Sequence, residues 1–444
     1  MTIRRYVLGL LLFAVVSMRA AGQGVDLTEA PLDKACVRNE ITMELKGTIT
    51  IVNGKDEQKF PHGAEAKHVY TERFLDVNGA VALKSARYYT VAESVLAFNN
   101  DKSAKRTLRP EHRFMVTHRQ ASGTMSFSLK GSLTREEMET TEHFNTLAVS
   151  GLIPGKMIEV GKSWAMPNGV VVALCDLQGV TKQNFEGKLI AVKDDIATFK
   201  VVGNADGISL GAQVKTLVNA DCEFDLKKKR IVAVSWNQED TRLQGPVGPA
   251  MTASITVKLK RDAIEVPVEL SDNALIEVPV GDAPSNLTNI QHGSSKDRFS
   301  LRYARDWHVT SPDGGPQMVL RNIDDRGQFV GQVTVSMWKK GDPANVISLE
   351  KFAAETERTI GWNQTEETER KELKELPKGH HMAYRVIANG ELDGQRAVQY
   401  FYLIVSKQGD HLLATFTLPP EQAARLGSRD VEFVREIGFP EAKE

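Results

Sequence analysis

The stretch FSLRYARDWHV, residues 299–309, places an acid, a tryptophan and a base side by side at Asp306, Trp307 and His308. An aspartate close to a histidine is typical of general acid–base catalysis. The residues before Asp306, however, alternate between apolar and polar, which is typical of a strand with one buried face. We therefore interpret the segment as a strand that runs into a turn, with Trp307 packed in the core and Asp306 and His308 on the opposite face.

Pairs of histidines recur at a spacing of six residues, as His62 with His68 and His112 with His118. Six residues of an extended strand span about 20 Å, whereas zinc binds imidazole nitrogens at about 2.0 to 2.1 Å. One ion cannot be held by both members of a pair on a straight strand, and only a cross-strand or bent-loop arrangement would bring them together. We predict no metal site here.

Adjacent carboxylates occur twice, at Asp194 with Asp195 and at Asp324 with Asp325. Two acids can share acid and base roles when their environments separate the two pKa values, but KDDIA and IDDRG are typical of exposed turns. The closely spaced glycines in GVTKQNFEG and GNADGISLG are interpreted as flexible hairpin loops. We predict a protein that is not an enzyme, with no catalytic residue, cofactor or metal ligand.

The chain contains three cysteines, Cys36, Cys175 and Cys222. An odd number allows at most one intramolecular disulfide, and the oxidising compartments outside the cytosol permit one. A possible disulfide between Cys175 and Cys222 is the preferred pairing, because both lie in extended apolar segments of one predicted domain. Three buried free thiols are the alternative that the sequence leaves open.

The first 22 residues have the three parts of a secretory signal peptide. A basic start with Arg4 and Arg5 precedes an apolar run over residues 6–16, and small residues follow at 20–22. The run of about 11 residues is shorter than the roughly 20 that span a bilayer as a helix. We expect an exported protein, periplasmic or extracellular, with no transmembrane segment after signal removal.

The composition excludes one class of partner. Over 444 residues the chain carries 56 basic and 57 acidic side chains, a formal net charge of −1. Proteins that bind nucleic acid usually carry a basic patch or stripe, so no nucleic-acid partner is expected. The basic run at 227–230 lies between two strand-like segments and is interpreted as a hairpin turn.

Most of the chain alternates between apolar and polar residues with a period of two, as at 41–51 and 255–260. This alternation predicts strands with one wet face and largely antiparallel sheets. Asn-Gly pairs, which favour tight hairpin turns, begin at Asn53, Asn78, Asn168 and Asn389.

Helices are predicted at three places: after Thr134, which forms a capping box with Glu137, after Ser348, and after Ser428. The second is expected to extend to Ile360. The mixed-charge segment at 365–376 is predicted to be a surface helix or loop.

The chain is long enough for two or three domains. Residues 279–297 are rich in Pro, Gly, Ser and Asn and indicate a linker. We predict a β-rich N-terminal domain at 32–270, a linker at 271–295 and an α+β domain at 296–440. Whether the first domain is one lobe or two stays open.

The C-terminal domain resembles the PsbP-like family over roughly 140 residues. The resemblance is carried by Phe299, Leu301, Tyr303 and Trp307, the helix after Ser348, the segments YRVIANGELDGQRAVQYFYLIV and HLLATFTLPPE, and the closing IGF. Ala304 departs from the proline that the family commonly has there. The resemblance implies an antiparallel sheet flanked by helices, in a family of accessory and binding proteins.

Residues 152–164, LIPGKMIEVGKSW, resemble an element of uncharacterised domains in bacterial exported proteins. The resemblance implies a curved antiparallel sheet or sandwich able to cradle an apolar ligand. The fold class is therefore α+β and dominated by β structure.

Two functions remain. The favoured one is a non-catalytic exported protein that binds an envelope protein or an apolar small molecule, and the alternative is an envelope hydrolase with a site assembled from scattered residues. A hydrolase requires a nucleophile or carboxylate beside a base, whereas a carrier requires an apolar concavity. The sequence does not identify the ligand, the partner or the oligomeric state.

Overall fold

The computed structural model describes residues 24–439 except 31–32, 54–55, 79–80, 100, 103–104, 121–122, 142–143, 294–297, 312–315, 343 and 378. The predicted signal peptide, residues 1–22, lies outside the described residues. Strands dominate the described chain, and the predicted α+β class with mostly antiparallel sheets is confirmed.

Up to Ile264 the described strands are β1 Val25–Asp26, β2 Cys36–Asn53, β3 Asp56–Asn78, β4 Val81–Phe98, β5 Asp101–Lys102, β6 Arg106–Thr107, β7 Phe114–Gln120, β8 Gly123–Ser128, β9 Leu133–Thr134, β10 Met157–Ile158, β11 Ser163–Ala165, β12 Gly179–Gln183, β13 Glu186–Lys193, β14 Ile196–Ser209, β15 Ala212–Asp225, β16 Arg230–Arg242 and β17 Ala250–Ile264. After Ile264 they are β18 Ile290–His292, β19 Ser300–Tyr303, β20 Trp307–Val309, β21 Gln317–Ile323, β22 Phe329–Lys340, β23 Trp362–Glu372, β24 His380–Leu392, β25 Gln395–Ser406, β26 Asp410–Leu418 and β27 Ile437–Gly438.

The α-helices among the described residues are short: α1 Arg135–Thr141, α2 Asn168–Leu174, α3 Ser285–Thr288, α4 Leu349–Thr356, α5 Ala423–Leu426 and α6 Arg429–Arg435. The 3-10 segments are Pro110–His112, Thr146–Leu152, Val268–Leu270, Asp272–Leu275 and Pro420–Gln422. In the part of the chain that the structure describes, no helix has the length and apolar character to cross a bilayer.

A large antiparallel sheet of 14 strands contains most of the chain before Ile264. Its strands follow the order β11-β13-β14-β15-β16-β17-β2-β3-β4-β7-β8, with β12, β5 and β6 on its margins. β2 pairs with β17 over the whole length of β17, from Cys36 opposite Ile264 to Thr50 opposite Ala250. In β15 buried and exposed residues alternate strictly along the strand, as a sheet with one wet face requires.

One face of the large sheet, which we call the inner face, packs against α2 and the Thr146–Leu152 segment. Ile41, Trp236 and Leu259 from the strands share one apolar cluster with Val149 and Val171 from these segments. The core of this region therefore lies between a single sheet and a layer of short helical segments.

The C-terminal sheet has seven strands in the order β20-β21-β22-β26-β25-β24-β23. Trp307 is buried in its core, where its ring lies 5.3 Å from that of Phe433 in α6 and 5.9 Å from that of Phe416. The predicted packing role of Trp307 is thus confirmed. A small sheet, β27-β19-β18-β9, joins the two regions through the parallel pair of β18 and β9.

The predicted linker at 271–295 contains α3 and β18 and packs along the large sheet. Arg73 donates a hydrogen bond of 2.6 Å to the carboxylate of Asp272, and the ammonium of Lys84 lies 3.1 Å from the carbonyl oxygen of Gly281. Through these contacts the segment is bound to strands β3 and β4. The division into domains at 32–270 and 296–440 stays a prediction.

Several local predictions are wrong. Asn168 begins α2 and Asn389 lies inside β24, so neither Asn-Gly pair forms a hairpin turn. The turn after β24 is Asp393-Gly394, where both residues have positive φ. Residues 365–372 belong to strand β23 instead of a helix or loop.

The helix caps are largely as predicted. In α1 the Thr134 hydroxyl accepts from the Glu137 amide at 3.3 Å and the Glu137 carboxylate accepts from the Thr134 amide at 3.0 Å, which is a capping box. Ser348 caps α4, but this helix ends at Thr356 and Ile360 is 97% exposed. The Ser428 side chain makes no capping bond.

The preferred disulfide between Cys175 and Cys222 is not formed. Cys36, Cys175 and Cys222 are all free and buried, which is the alternative that the sequence left open. Cys175 lies at the end of α2 instead of in an extended segment, whereas Cys222 lies within strand β15. Burial raises the pKa of Cys36 to about 11 and raises those of Cys175 and Cys222 further, so all three favour the thiol form.

Candidate functional site

The inner face of the large sheet has two halves that follow each other along the same strands. In the first, the covered half, apolar side chains lie beneath α2 and the Thr146–Leu152 segment. Its buried members include Ile41, Tyr70, Ala92, Val234, Trp236, Val257 and Leu259.

A buried carboxylate helps to hold the covering layer on the sheet. Glu72 is 0% exposed and accepts hydrogen bonds from Arg87 (2.8 Å), Ser85 (2.9 Å), Asn39 (3.0 Å) and the hydroxyl of Thr146 (2.9 Å). Burial raises the pKa of Glu72, but the charge of Arg87 and the hydrogen bonds outweigh burial and lower it overall. Because Thr146 begins the 3-10 segment, this network fixes that segment over β3 and β4.

The covering of β3 and β4 by α1 is anchored at His68 and Ser94. The His68 ring nitrogen Nε2 donates to the carbonyl oxygen of Thr140 at 2.6 Å, and the Ser94 hydroxyl lies 3.0 Å from that of Thr140. Further along the inner face of these strands lie Ala64 and Leu96, both only half-buried. The covering layer therefore stops at about this row.

The second half carries a group of apolar side chains that we call the apolar strip: Leu45, Ile49, Ile51, Phe60, Ala64, Leu96, Phe98, Met251 and Ile255. The register places them on one face, because Leu45 is opposite Ala64 and Ile255, and Ile49 is opposite Phe60 and Met251. The strip spans about 20 Å along β2 and about 14 Å across four strands, from the rise per residue and the spacing between strands.

No member of the apolar strip is buried. Ile51 is 44% exposed and Phe98 is 47% exposed, whereas Ile41, on the same face of β2 as Leu45, is only 3% exposed. The rings of Phe60 and Phe98 stack with centroids 5.5 Å apart at the outer end of the strip. Contiguous exposed apolar surface of this kind marks interaction or ligand sites in soluble proteins.

A line of side chains on β16, which we call the β16 ladder, lies beside the apolar strip, next to its members on β17. The Trp236 ring N–H donates to Gln238 at 3.0 Å, and the Gln238 amide donates to Asp240 at 2.9 Å. The hydroxyl of Thr216 donates to the other oxygen of Asp240 at 2.7 Å. Arg242 follows Asp240 on the same face and donates to the carbonyl oxygen of Pro249 at 3.2 Å.

The charges at the end of the β16 ladder are partly removed from water. Burial raises the pKa of Asp240, although its hydrogen bonds from Thr216 and Gln238 act in the opposite direction. Burial likewise lowers the pKa of Arg242, whose Nε is buried with no hydrogen-bond partner in the described chain. The site therefore combines an apolar surface with one anionic and one cationic group at its side.

This arrangement is not suited to acid–base catalysis. His62 lies on the inner face opposite Phe98, and burial lowers its pKa. Asp240 lies in the same row across the strands, which runs from Asp240 through Ala253 and Gly47 to His62. Three strand spacings, about 14 Å, separate His62 from Asp240. A general base must lie within hydrogen-bond reach of its partner, so the two do not form a dyad.

The pentapeptide GISLG, residues 207–211, has the GxSxG spacing of a nucleophile elbow, although we interpret it above only as a hairpin loop. Ser209 ends β14, and Leu210 and Gly211 form the turn with φ of +52° and +72°. The turn leads into the antiparallel strand β15, whereas an elbow leads from a strand into a helix. Of the stretch 203–211 that we interpret as a hairpin loop, only Leu210 and Gly211 form the turn, and residues 203–209 lie in β14.

The other residues whose types could support catalysis or metal binding lie apart from the apolar strip. Asp306 forms an ion pair of 3.4 Å with Arg429, and Asp194 and Asp195 occupy a turn with positive φ. Burial lowers the pKa of His308. Among the described residues, no three metal-binding side chains gather into a cluster.

Sequence reasoning missed both the apolar strip and the β16 ladder. The ladder had a signal in the segment VSWNQEDTR, because Trp236, Gln238 and Asp240 alternate at the period of a strand. The strip had none, because its residues have the same pattern as those of the covered half.

No protein-family model matches this chain, and no curated protein matches it. Among solved structures, the cyanobacterial PsbP protein of Synechocystis sp. PCC 6803 is similar at 10% identity and a TM-score of 0.28, covering 34% of this chain and 92% of that one. A structure of lipovitellin, described for its lipid–protein interactions, covers 53% of this chain and 26% of that one at 7% identity and a TM-score of 0.28. A DUF1329 family protein from Desulfovibrio piger covers 55% and 93% at 12% identity and a TM-score of 0.12.

These scores are too low to carry an argument about function. The resemblance to the PsbP-like family is supported only as a weak structural similarity over about a third of the chain.

Proposed function

We propose that this chain is an exported, non-catalytic binding protein that holds an apolar ligand on the apolar strip. The observation that carries the proposal is the contrast on β2, where Ile41 is 3% exposed and Ile51, on the same face, is 44% exposed. Each fully buried aliphatic or aromatic side chain contributes about 1.5–3 kcal/mol. The apolar strip has nine side chains that are exposed or only partly buried, and covering their remaining surface would supply free energy for binding a ligand.

The chemistry of the strip favours binding over hydrolysis. Apolar surface with a few polar groups at its side is the usual composition of a ligand site. His62 and Asp240, at the sides of the strip, are too far apart to act together as acid and base. Export is proposed from the basic, apolar and small-residue parts of residues 1–22.

The experiment uses the chain without residues 1–22 and the uncharged fluorophore N-phenyl-1-naphthylamine. We expect saturable binding, seen as a rise in fluorescence. Leu45→Ser and Phe98→Ser should each weaken binding about 10-fold, because each removes roughly 1.5 kcal/mol or more of apolar contact.

The matched control is Leu217→Ser. Leu217 is 56% exposed and lies on the opposite face of the same sheet, so its replacement should leave binding unchanged. Equal affinities for the wild type and both strip variants would rule out the apolar strip as the ligand site.

A further inference from the structure

The charged groups beside the apolar strip indicate which class of ligand it binds. This inference rests on the proposed function. Asp240 and Arg242 are two residues apart on β16, so they lie on one face about 7 Å apart along the strand. Arg242 is opposite Met251, which is opposite Ile49 in the strip. Asp240 is opposite Ala253, which is opposite Gly47.

The row that leads from Asp240 to the strip begins with two small residues, Ala253 and Gly47. A side chain at Gly47 is excluded, since an added Cβ would lie 2.2 Å from the carbonyl oxygen of Thr252. Ala253 contributes a single methyl group. Between Asp240 and His62, the face is therefore lower than in the rows of Leu45 and Ile49 on either side.

The two charges on β16 are held by neutral partners instead of by each other. Asp240 accepts from Thr216 and Gln238, and Arg242 donates to the carbonyl oxygen of Pro249. Asp240 and Arg242 form no contact ion pair among the side chains that the structure describes, although their charges attract each other across the space between them. Because neither partly buried group has an opposite charge in direct contact, each gains from a complementary charge supplied by a ligand.

We propose that the ligand of the apolar strip is a zwitterionic amphiphile, with its acyl chain on the strip, its anionic group at Arg242 and its cationic group at Asp240. An anionic amphiphile would satisfy Arg242 but would bring its charge close to Asp240. An uncharged one would leave both groups with no opposite charge in contact. A phosphate joined to an ammonium by a short linker satisfies both.

The test measures displacement of N-phenyl-1-naphthylamine from the chain without residues 1–22 by three probes that share a palmitoyl chain: lysophosphatidylethanolamine, lysophosphatidylglycerol and monopalmitoylglycerol. We expect the zwitterionic probe to bind about 10-fold more tightly than either of the others. Asp240→Asn should abolish its preference over the anionic probe. Arg242→Gln should weaken both phosphate-bearing probes and leave monopalmitoylglycerol unchanged.

Glu239→Gln is the matched control, because Glu239 is adjacent to Asp240 but exposed on the opposite face. Arg242→Lys keeps the charge and should keep most of the preference, which guards against a general effect of replacing the arginine on folding. Equal affinities for all three probes, unchanged in Asp240→Asn, would overturn the zwitterionic ligand while leaving the proposed function intact. Failure of the fluorophore itself to bind would instead overturn the proposed function.

Discussion

The covered and uncovered halves of the inner face are built from the same strands with the same alternation of side chains, yet they differ in burial. Ile41 lies beneath a layer of short helical segments, whereas Leu45, one row of the face beyond Met43, is half-buried. The alternation decides which face a side chain occupies, but the anchors at Thr140 and Thr146 decide whether anything packs on it. Under the proposed function, successive rows of one sheet thus serve first the stability of the core and then the binding of a ligand.

The largest expected effect comes from breaking the network that holds the covering layer. Glu72→Gln removes the negative charge beside Arg87, whose side chain is 5% exposed. Leaving a buried charge unpaired typically costs about 3–5 kcal/mol, so we expect the free energy of unfolding in urea to fall by about 4 kcal/mol.

The control for Glu72→Gln is Glu239→Gln, at an exposed position of the same sheet, which should change stability by less than about 0.5 kcal/mol. If Glu72→Gln unfolded at the same urea concentration as the wild type, the network would not be what secures the covered half.

A smaller effect is expected from truncating one apolar side chain in each half. Ile41→Ala leaves a cavity in a packed core and should cost about 3 kcal/mol. Leu45→Ala, on the same face of the same strand, should cost less than about 1 kcal/mol, because the side chain is already half in solvent. Urea unfolding of both variants measures the difference, and equal destabilisation would erase the distinction between the halves.

The smallest effect concerns pH and the helix that ends the covered half. Glu137 in α1 is 3% exposed. Burial raises its pKa, but hydrogen bonds from Arg109, His112 and the Thr134 amide outweigh burial and bring it well below the ordinary 4.5. A carboxyl with a lowered pKa stabilises the folded state fully above its ordinary pKa, and loses this contribution as pH falls below that value.

We therefore expect the difference in free energy of unfolding between the wild type and Glu137→Gln to be about 1 to 3 kcal/mol above pH 5.5. The difference should shrink steadily as the pH falls below about 4.5. Urea unfolding between pH 7 and pH 3 measures it, with Glu111→Gln as the exposed control nearby. A difference that stayed constant over this range would show that Glu137 does not act through its charge.

Much of the fold could be predicted from the sequence because local patterns carried it. The alternation at 41–51 and 255–260 predicted parts of β2 and β17, and the Thr134–Glu137 capping box predicted the start of α1. These features depend on neighbours within a few residues, where periodicity and capping chemistry are informative.

Where tertiary packing decided the outcome, the predictions were wrong. Asn168 entered α2 because Val170, Val171 and Leu174 bury one face of that helix. Asn389 stayed inside β24 because Asp393-Gly394 takes the turn. The charged segment at 365–372 became a strand because it pairs with β24 at the margin of the C-terminal sheet, where charges remain in solvent.

The candidate site was harder to predict than the fold. Leu45 and Ile41 have the same residue class and the same position in the alternation, so no local pattern separates a packed row from an open one. The difference depends on contacts from Thr140 and Thr146, which lie 72 or more positions away from the β3 residues they meet, Tyr70 among them.

The pairing of β2 with β17 has a consequence for how the molecule is made. Thr50 meets Ala250, a partner 200 positions further along the chain. Closing such long-range contacts is slow, and an unpaired strand can associate with other chains until its neighbour arrives. During synthesis the edge of β2 that pairs with β17 therefore stays unpaired until most of the polypeptide has been made. A chain that ended before β17 would leave this edge of β2 permanently exposed.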